Sequence, residues 1–232
     1  MKPDLANYDA VIFDLFHTLI SLDTVSSSAI NPWDYLEVSE KDWRDALFSD
    51  TDDRLRGRIT DPNDVVRDIV CKLDPDMSAD KTEHASRLRL SQFEAALSNV
   101  HPHVLETIGS IKSRHKLLGL ISNADAIESS SWPDSHIATL FDSAVFSCAV
   151  GYIKPEKEIY FTMLEDLGVP AHRCLFVGDG GNDELTGARN VGMDAAITLE
   201  FVADADTKAM MGRRAQADFE IAGIHELLAA GR

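Results

Sequence analysis

Cysteine is scarce in this 232-residue chain: Cys71, Cys148 and Cys174 are scattered, odd in number and without metal-type spacing. That argues against a disulfide framework or a thiolate metal site, and for buried, reduced thiols. Long apolar runs are missing too. No stretch reaches the 18 residues of a membrane-crossing helix, and the opening "MKPDLANYDA" has neither the basic start nor the apolar core of a signal peptide. The expected location is cytoplasmic. Positive charge is in deficit, with 22 Lys and Arg against 39 Asp and Glu and a formal net charge of -17 at pH 7. A field of that sign repels phosphate backbones and anionic lipid surfaces, so neither nucleic acid nor membrane is an expected partner. A small anionic substrate fits only where a local cation overrides the global field. The chain is expected to work as a monomer or homodimer.

What is present is enough apolar material, 44% of residues, for one sizeable core and a smaller subdomain. Short apolar runs alternate with helical patterns in the second half. "KLLGLISNAD" (Lys116 to Asp125) reads as a strand ending in a polar turn, and "CLFVGDGGND" (Cys174 to Asp183) repeats that design with glycines. Between them "IYFTMLEDLG" is helix-like from Ile159 and stopped by Gly168, and "DAAITLE" (Asp194 to Glu200) supplies another apolar patch. Strand, turn, helix and strand in series predict an α/β protein with a parallel sheet covered by helices. Ligands of such sheets bind beyond the carboxyl ends of the strands.

From about Ser21 to Asn99 the character changes. This stretch has no clear short strand, and "DVVRDIVCKL" and "ASRLRLSQFEAAL" carry helical patterns. In the second, spacing puts Leu88, Phe93 and Leu97 on one face and points Arg87 and Arg89 away. The Ser129 to Ser131 run reads as a loop before "HIATLF". Residues 21–99 are therefore expected to form a helical cap inserted into a core made of 1–20 and 100–232. Arg44, Arg54, Arg56, Arg58 and Arg67 in this stretch could each bind an anion, but solvated or ion-paired arginines are the plainer expectation.

The run "VIFDLFHTLI" (Val11 to Ile20) sets the central question, because it places Asp14 at the mouth of a buried strand. A buried carboxylate needs a cation, a reacting group or hydrogen-bond donors nearby. Three other polar points fall at strand ends or beside them: Ser122 with Asn123, Lys154 in "GYIKPEKEIY", and Asp179 with Asp183 in "VGDGGND". Each alone is ordinary turn or surface chemistry. In this order and spacing, together with "HPHVLETIGSIK" and "TGARNVGM", they resemble the haloacid dehalogenase-like hydrolase superfamily.

That resemblance implies a Rossmann-like core and a covalent mechanism. Asp14 would be the nucleophile, Thr18 and Ser122 would donate hydroxyl hydrogen bonds, and Lys154 would neutralise charge shared by Asp14 and substrate. Backbone amides around Phe16 and Asn123 would hold the substrate's oxygens. In the superfamily's phosphatases the metal is Mg²⁺, and the corresponding ligands here are Asp14, the Phe16 carbonyl and Asp179, with Asp183 as a supporting or water-mediated ligand. Glu184 adjoins Asp183, and either acid aligns with the last acidic position.

Phe16 and His17 depart from the phosphatase pattern, which has a second Asp and then Gly at those positions. That Asp protonates the leaving group, help worth about 10²–10⁴ in rate. Without it, aryl or acyl phosphates should be cleaved better than alkyl ones. His17 could replace the acid or simply bond the loop backbone. The superfamily's 2-haloacid dehalogenases also lack the Asp and carry an aromatic residue there, and Tyr160 matches them as well. They have Ser where this chain has Asp179, however, and need no metal. The expected function is a Mg²⁺-dependent phosphatase of a small metabolite acting through an aspartyl-phosphate. The alternatives are a metal-independent dehalogenase and a catalytically weak binding or regulatory protein.

Overall fold

Ala10–Phe13 (β1) is apolar at every position, and all four side chains are fully buried. Ala10 and Ile12 pack into one hydrophobic cluster while Val11 and Phe13 pack into another, so the strand is covered on both faces. Both coverings are expected of a central parallel strand. The computed structural model describes residues 2–22, 30–202 and 207–229. Residues 23–29, part of the expected cap, lie outside the described residues, as do 203–206 and 230–232 of the expected core.

After β1 come the helices Pro32–Leu36 (α1), Glu40–Phe48 (α2), Asp52–Leu55 (α3), Pro62–Val70 (α4) and Ala79–Ser98 (α5). Pro102–Ser113 (α6) leads into Leu117–Ser122 (β2) and Ala126–Ser130 (α7), then Ser143–Phe146 (β3), Ser147–Val150 (α8) and Lys157–Leu167 (α9). The chain continues through Cys174–Gly178 (β4), Glu184–Asn190 (α10), Asp194–Thr198 (β5), Lys208–Arg214 (α11) and Phe219–Ile221 (β6). The sheet order is β3-β2-β1-β4-β5-β6, and every pairing is parallel. The chain builds from β1 outward to β3, then crosses back to β4 on the other side of β1. Asp14 therefore sits where the strand order reverses, the place where a crevice opens in such sheets.

Helices α1, α2, α4 and α5 gather around their own apolar cluster, with Leu36, Trp43, Val65, Val66, Ile69 and Phe93 at its centre. Local chemistry starts these helices: Ser39 caps α2, Asp61 caps α4 with Pro62 following, and Ser78 caps α5. Ile127 of α7 enters the same cluster, and Phe16 packs against it. The helical stretch thus shares contacts with the loops at the carboxyl ends of β1 and β2.

Three expectations change. Of the thiols only Cys174 is buried, since Cys71 is exposed and Cys148 half-buried. Residues Ser129 and Ser130 belong to helix α7, not a loop, because Asp125 and Glu128 form a reciprocal capping box at its start. Arg89 does not point to solvent; it is only 3% exposed, since α5 lies against α7 and turns that side chain inward.

Gly119 of β2 marks a tight contact between the sheet and α9. A Cβ there would stand 2.5 Å from Met163 Sδ and 3.2 Å from both Ile12 and Leu167. Gly119→Val should therefore overpack the β2–α9 contact and lower unfolding stability by about 1–3 kcal/mol. Urea denaturation measures this, and an unchanged midpoint would mean that α9 can move away freely.

Candidate active site

The Asp14 carboxylate is buried just past the end of β1, and its position is fixed from three sides. Its backbone N–H donates to the Val177 carbonyl at 2.9 Å, holding it to β4. Thr18 Oγ1 donates to Oδ2 at 3.1 Å, and Lys154 Nζ donates to Oδ1 at 2.5 Å. The same ammonium donates to Glu184 Oε2 at 2.6 Å, so it bridges two buried carboxylates. Asn123 places the lysine: its side-chain oxygen accepts from the Lys154 N–H at 2.7 Å, and its amide donates to the Lys154 carbonyl at 3.0 Å. The side chain of Asn123 is thereby engaged with the Lys154 backbone.

Burial dominates the protonation of this group. It raises Asp14 above the usual carboxylate range, opposed by Lys154 and reinforced by the charge of Asp179. Burial and the neighbouring Asp14 push Glu184 up to about 8, against the pull of Lys154. Burial alone would lower Lys154, but the two carboxylates outweigh it and keep the lysine charged.

Asp179 follows β4. Its Oδ1 accepts from the Gly181 N–H at 3.0 Å, and its Oδ2 from Arg213 Nη1 at 2.5 Å. One oxygen from each of Asp14, Asp179 and Glu184 falls within 4.8 Å of the other two. Glycine makes this convergence possible. A Cβ on Gly178 would lie 2.1 Å from Glu184 Oε1, and Gly180 adopts φ +80° while its N–H donates to that oxygen at 3.0 Å. Asp183 does not join the group, contrary to its expected supporting role. Its backbone takes φ +54°, and its exposed carboxylate accepts from Gln216 at 2.8 Å. Glu184 occupies the place beside Asp14 and Asp179.

Ser122 is fully buried at the end of β2, and its hydroxyl has no partner among the described residues. His17 takes φ +57° with an exposed side chain, and its backbone N–H donates to Ile20. Phe16 packs edge to face on Phe93 at 5.6 Å. Tyr160 lies fully buried in the sheet–helix layer, where its hydroxyl donates to the Glu184 carbonyl at 2.7 Å.

The profile of haloacid dehalogenase-like hydrolases matches residues 8–192. The chain belongs to that family. A glyceraldehyde 3-phosphate phosphatase of Methanothermobacter thermautotrophicus is 32% identical over 114 residues, 48% of this chain and 50% of that protein. The chain spans about half the length of the curated phosphatases it matches. Among solved structures, a dehalogenase with an intermediate complex superposes with TM-score 0.68 at 18% identity, covering 99% of this chain and 100% of that one. A family enzyme from Bacteroides thetaiotaomicron, in complex with magnesium and inorganic phosphate, gives 0.63 at 16% identity over 86% of this chain and 98% of its own. These structures share the fold of the haloacid dehalogenase-like hydrolases. No helix among the described residues is long and apolar enough to cross a membrane.

Two parts of this hydrolase site escape sequence reading. Arg213 of α11 reaches Asp179 from a helix far along the chain, with no motif to flag it. On the other side, Asp125 and Glu128 meet two buried arginines. Arg89 Nη1 lies 2.9 Å from Asp125 Oδ2, Arg89 Nη2 lies 2.6 Å from Glu128 Oε1, and Arg54 lies 2.9 Å from Asp68 and 3.6 Å from Asp125. The D-x-x-E spacing of the capping box was the available signal for the acids. Burial would lower the Arg89 pKa, yet Asp125 and Glu128 raise it.

This network joins α3 and α5 to the loop after β2. Arg89→Met should destabilise the fold by about 3 kcal/mol or more, because it leaves Asp125 and Glu128 buried beside one cation fewer. Asp125→Asn keeps a capping oxygen while removing the charge. In a urea-denaturation double-mutant cycle, it should recover part of the loss in the Arg89→Met background. Strict additivity would mean that the two residues are not energetically coupled.

Proposed function

We propose that this hydrolase is a Mg²⁺-dependent phosphatase of a small phosphorylated metabolite, with residues 21–99 acting as a helical cap over the site. The observation that carries the reading is the convergence of Asp14, Asp179 and Glu184 on one point. Among the described residues, three carboxylates face two cations there, Lys154 and Arg213. An all-oxygen donor set with surplus negative charge suits a hard divalent ion, and each carboxylate oxygen can accept more than the one bond it makes here. Asp14, the Phe16 carbonyl and Asp179 would hold Mg²⁺, with Glu184 adjacent. When bound, the ion would neutralise phosphoryl oxygens.

The chain's own residues account for the rest. Asp14 Oδ attacks phosphorus, the bond from phosphorus to the leaving oxygen breaks, and that oxygen departs with the electron pair. Water then attacks phosphorus of the aspartyl-phosphate, releasing inorganic phosphate and restoring the carboxylate. Thr18 keeps Asp14 oriented, and Lys154 balances the charge transferred from Asp14 to the phosphoryl group. The orphaned hydroxyl of Ser122, at the end of β2, supports a bond to a substrate oxygen. The relatives named glyceraldehyde 3-phosphate phosphatases support phosphate ester chemistry.

One residue favours a second reading. Phe16 stands where a phosphatase carries its proton donor, and a 2-haloacid dehalogenase needs none, because halide leaves unprotonated. Asp179 opposes that reading, since an anion beside the nucleophile would repel a departing halide and a substrate carboxylate.

Phosphate and halide release from phosphate esters and 2-haloacids, with Mg²⁺ and with EDTA, separates the two. EDTA should stop ester cleavage, Asp14→Asn should reduce turnover by a factor on the order of 10³ or more, and Asp179→Ser should weaken both turnover and Mg²⁺-dependent thermal stabilisation. Halide release that survives EDTA and Asp179→Ser would sink the phosphatase reading.

A further inference from the structure

The site opens into a cavity of about 690 Å³, far larger than a phosphoryl group needs. Asp14, Lys154 and Asp179 line one end. The helical stretch supplies an apolar wall: Trp33, Trp43, Leu47 and Phe93, continued by Phe16. Trp43 and Phe93 belong to the apolar cluster of the helical stretch, and Phe16 meets Phe93 edge to face. Four arginines also reach this space. Arg54 and Arg89 are committed to Asp68, Asp125 and Glu128, Arg213 is committed to Asp179, and Arg44 stands 3.8 Å from Glu40.

This wall sets a condition on the leaving group. A polyol pressed against it would bury hydroxyls without partners, whereas an aromatic ring would gain dispersion and edge-to-face contacts. Phe16 sets a second condition, because it brings no proton to the departing oxygen. A phenolate, whose conjugate acid has a pKa near 10 in tyrosine, leaves unprotonated far more readily than an alkoxide, whose conjugate acid has a pKa nearer that of water at roughly 16. An acyl phosphate meets the second condition but not the first, and a triose phosphate meets neither.

Resting on the phosphatase reading above, we infer that the substrate is an aryl phosphate monoester, its ring held by Trp33, Trp43 and Phe93 and its phosphoryl group at Asp14. In the first step Asp14 bonds to phosphorus and the phenolate departs with its electron pair, taking its proton from water afterwards.

Two arms test this on the full-length protein with Mg²⁺. The first compares kcat/KM for phenyl phosphate, benzyl phosphate, acetyl phosphate and glyceraldehyde 3-phosphate by inorganic phosphate release. Phenyl phosphate should exceed glyceraldehyde 3-phosphate by about 10² or more, with benzyl and acetyl phosphates between them because each meets one condition. Glyceraldehyde 3-phosphate turned over as well as phenyl phosphate overturns the inference and leaves the phosphatase reading standing. Phosphate released from none of the four overturns the phosphatase reading, and the inference with it.

The second arm measures binding without turnover, by calorimetry with phenylphosphonate and methylphosphonate. Phenylphosphonate should bind at least about tenfold tighter, and both Trp33→Ala and Leu47→Ser should bring the ratio close to one. Equal binding of the two phosphonates to the wild type overturns the proposed ring site. A preference that persists in both variants overturns it as well.

Discussion

One ammonium group holds the site together. Lys154 Nζ lies within 2.6 Å of a carboxylate oxygen on each of Asp14 and Glu184, and without it two buried acids would face each other with no cation between them. Burial raises the pKa of both carboxylates, and Lys154 opposes that rise in each. The surrounding chain is arranged to keep the lysine in place. Asn123 grips its backbone through two hydrogen bonds, which ties the loop after β2 to the loop before α9. Gly178 and Gly180 make room for Glu184 on the far side, and Tyr160 anchors the Glu184 carbonyl from below. Geometry at the ends of β1, β2 and β4 therefore depends on a single charge.

A second ionic group does the equivalent work between the helical stretch and the sheet. Asp125 closes the capping box of α7 and also receives Arg89 from α5, so one carboxylate serves both a local and a long-range contact. Asp125 is only two residues from Asn123. A shift of α5 relative to the sheet would be felt first at the loop that holds Lys154. The apolar wall of the cavity and the cation beside Asp14 are thus joined through one short loop, although they come from separate parts of the sequence.

The sheet and the strand ends of the candidate site were legible because they depend on local pattern. The apolar runs at β1, β2, β4 and β5 are continuous, as fully buried parallel strands must be, and the polar residues that follow them could be matched by order alone. Strands β3 and β6 were not read, being four and three residues long with partly exposed positions. Arg89 was misread because helical spacing assigns a side chain to a face without saying what will pack on that face. Glu184 could not be separated from Asp183 because the difference lies in backbone conformation. A positive φ at Asn182 and Asp183 turns the first acid outward and starts α10 so that the second points in.

Net charge alone does not decide what this site can hold. A chain at -17 is a poor host for a phosphate dianion in bulk electrostatic terms, yet long-range repulsion is screened over about 8 Å at physiological ionic strength, while contacts at 2.5–3.1 Å are not. Within that short range the balance is closer, with three carboxylates against Lys154 and Arg213. One divalent cation would turn this remaining negative charge into a positive one. The acidity of the chain as a whole would then leave binding at the site intact. What it would govern is the approach of the substrate, which favours a ligand whose remaining surface is uncharged and can be held by the apolar wall.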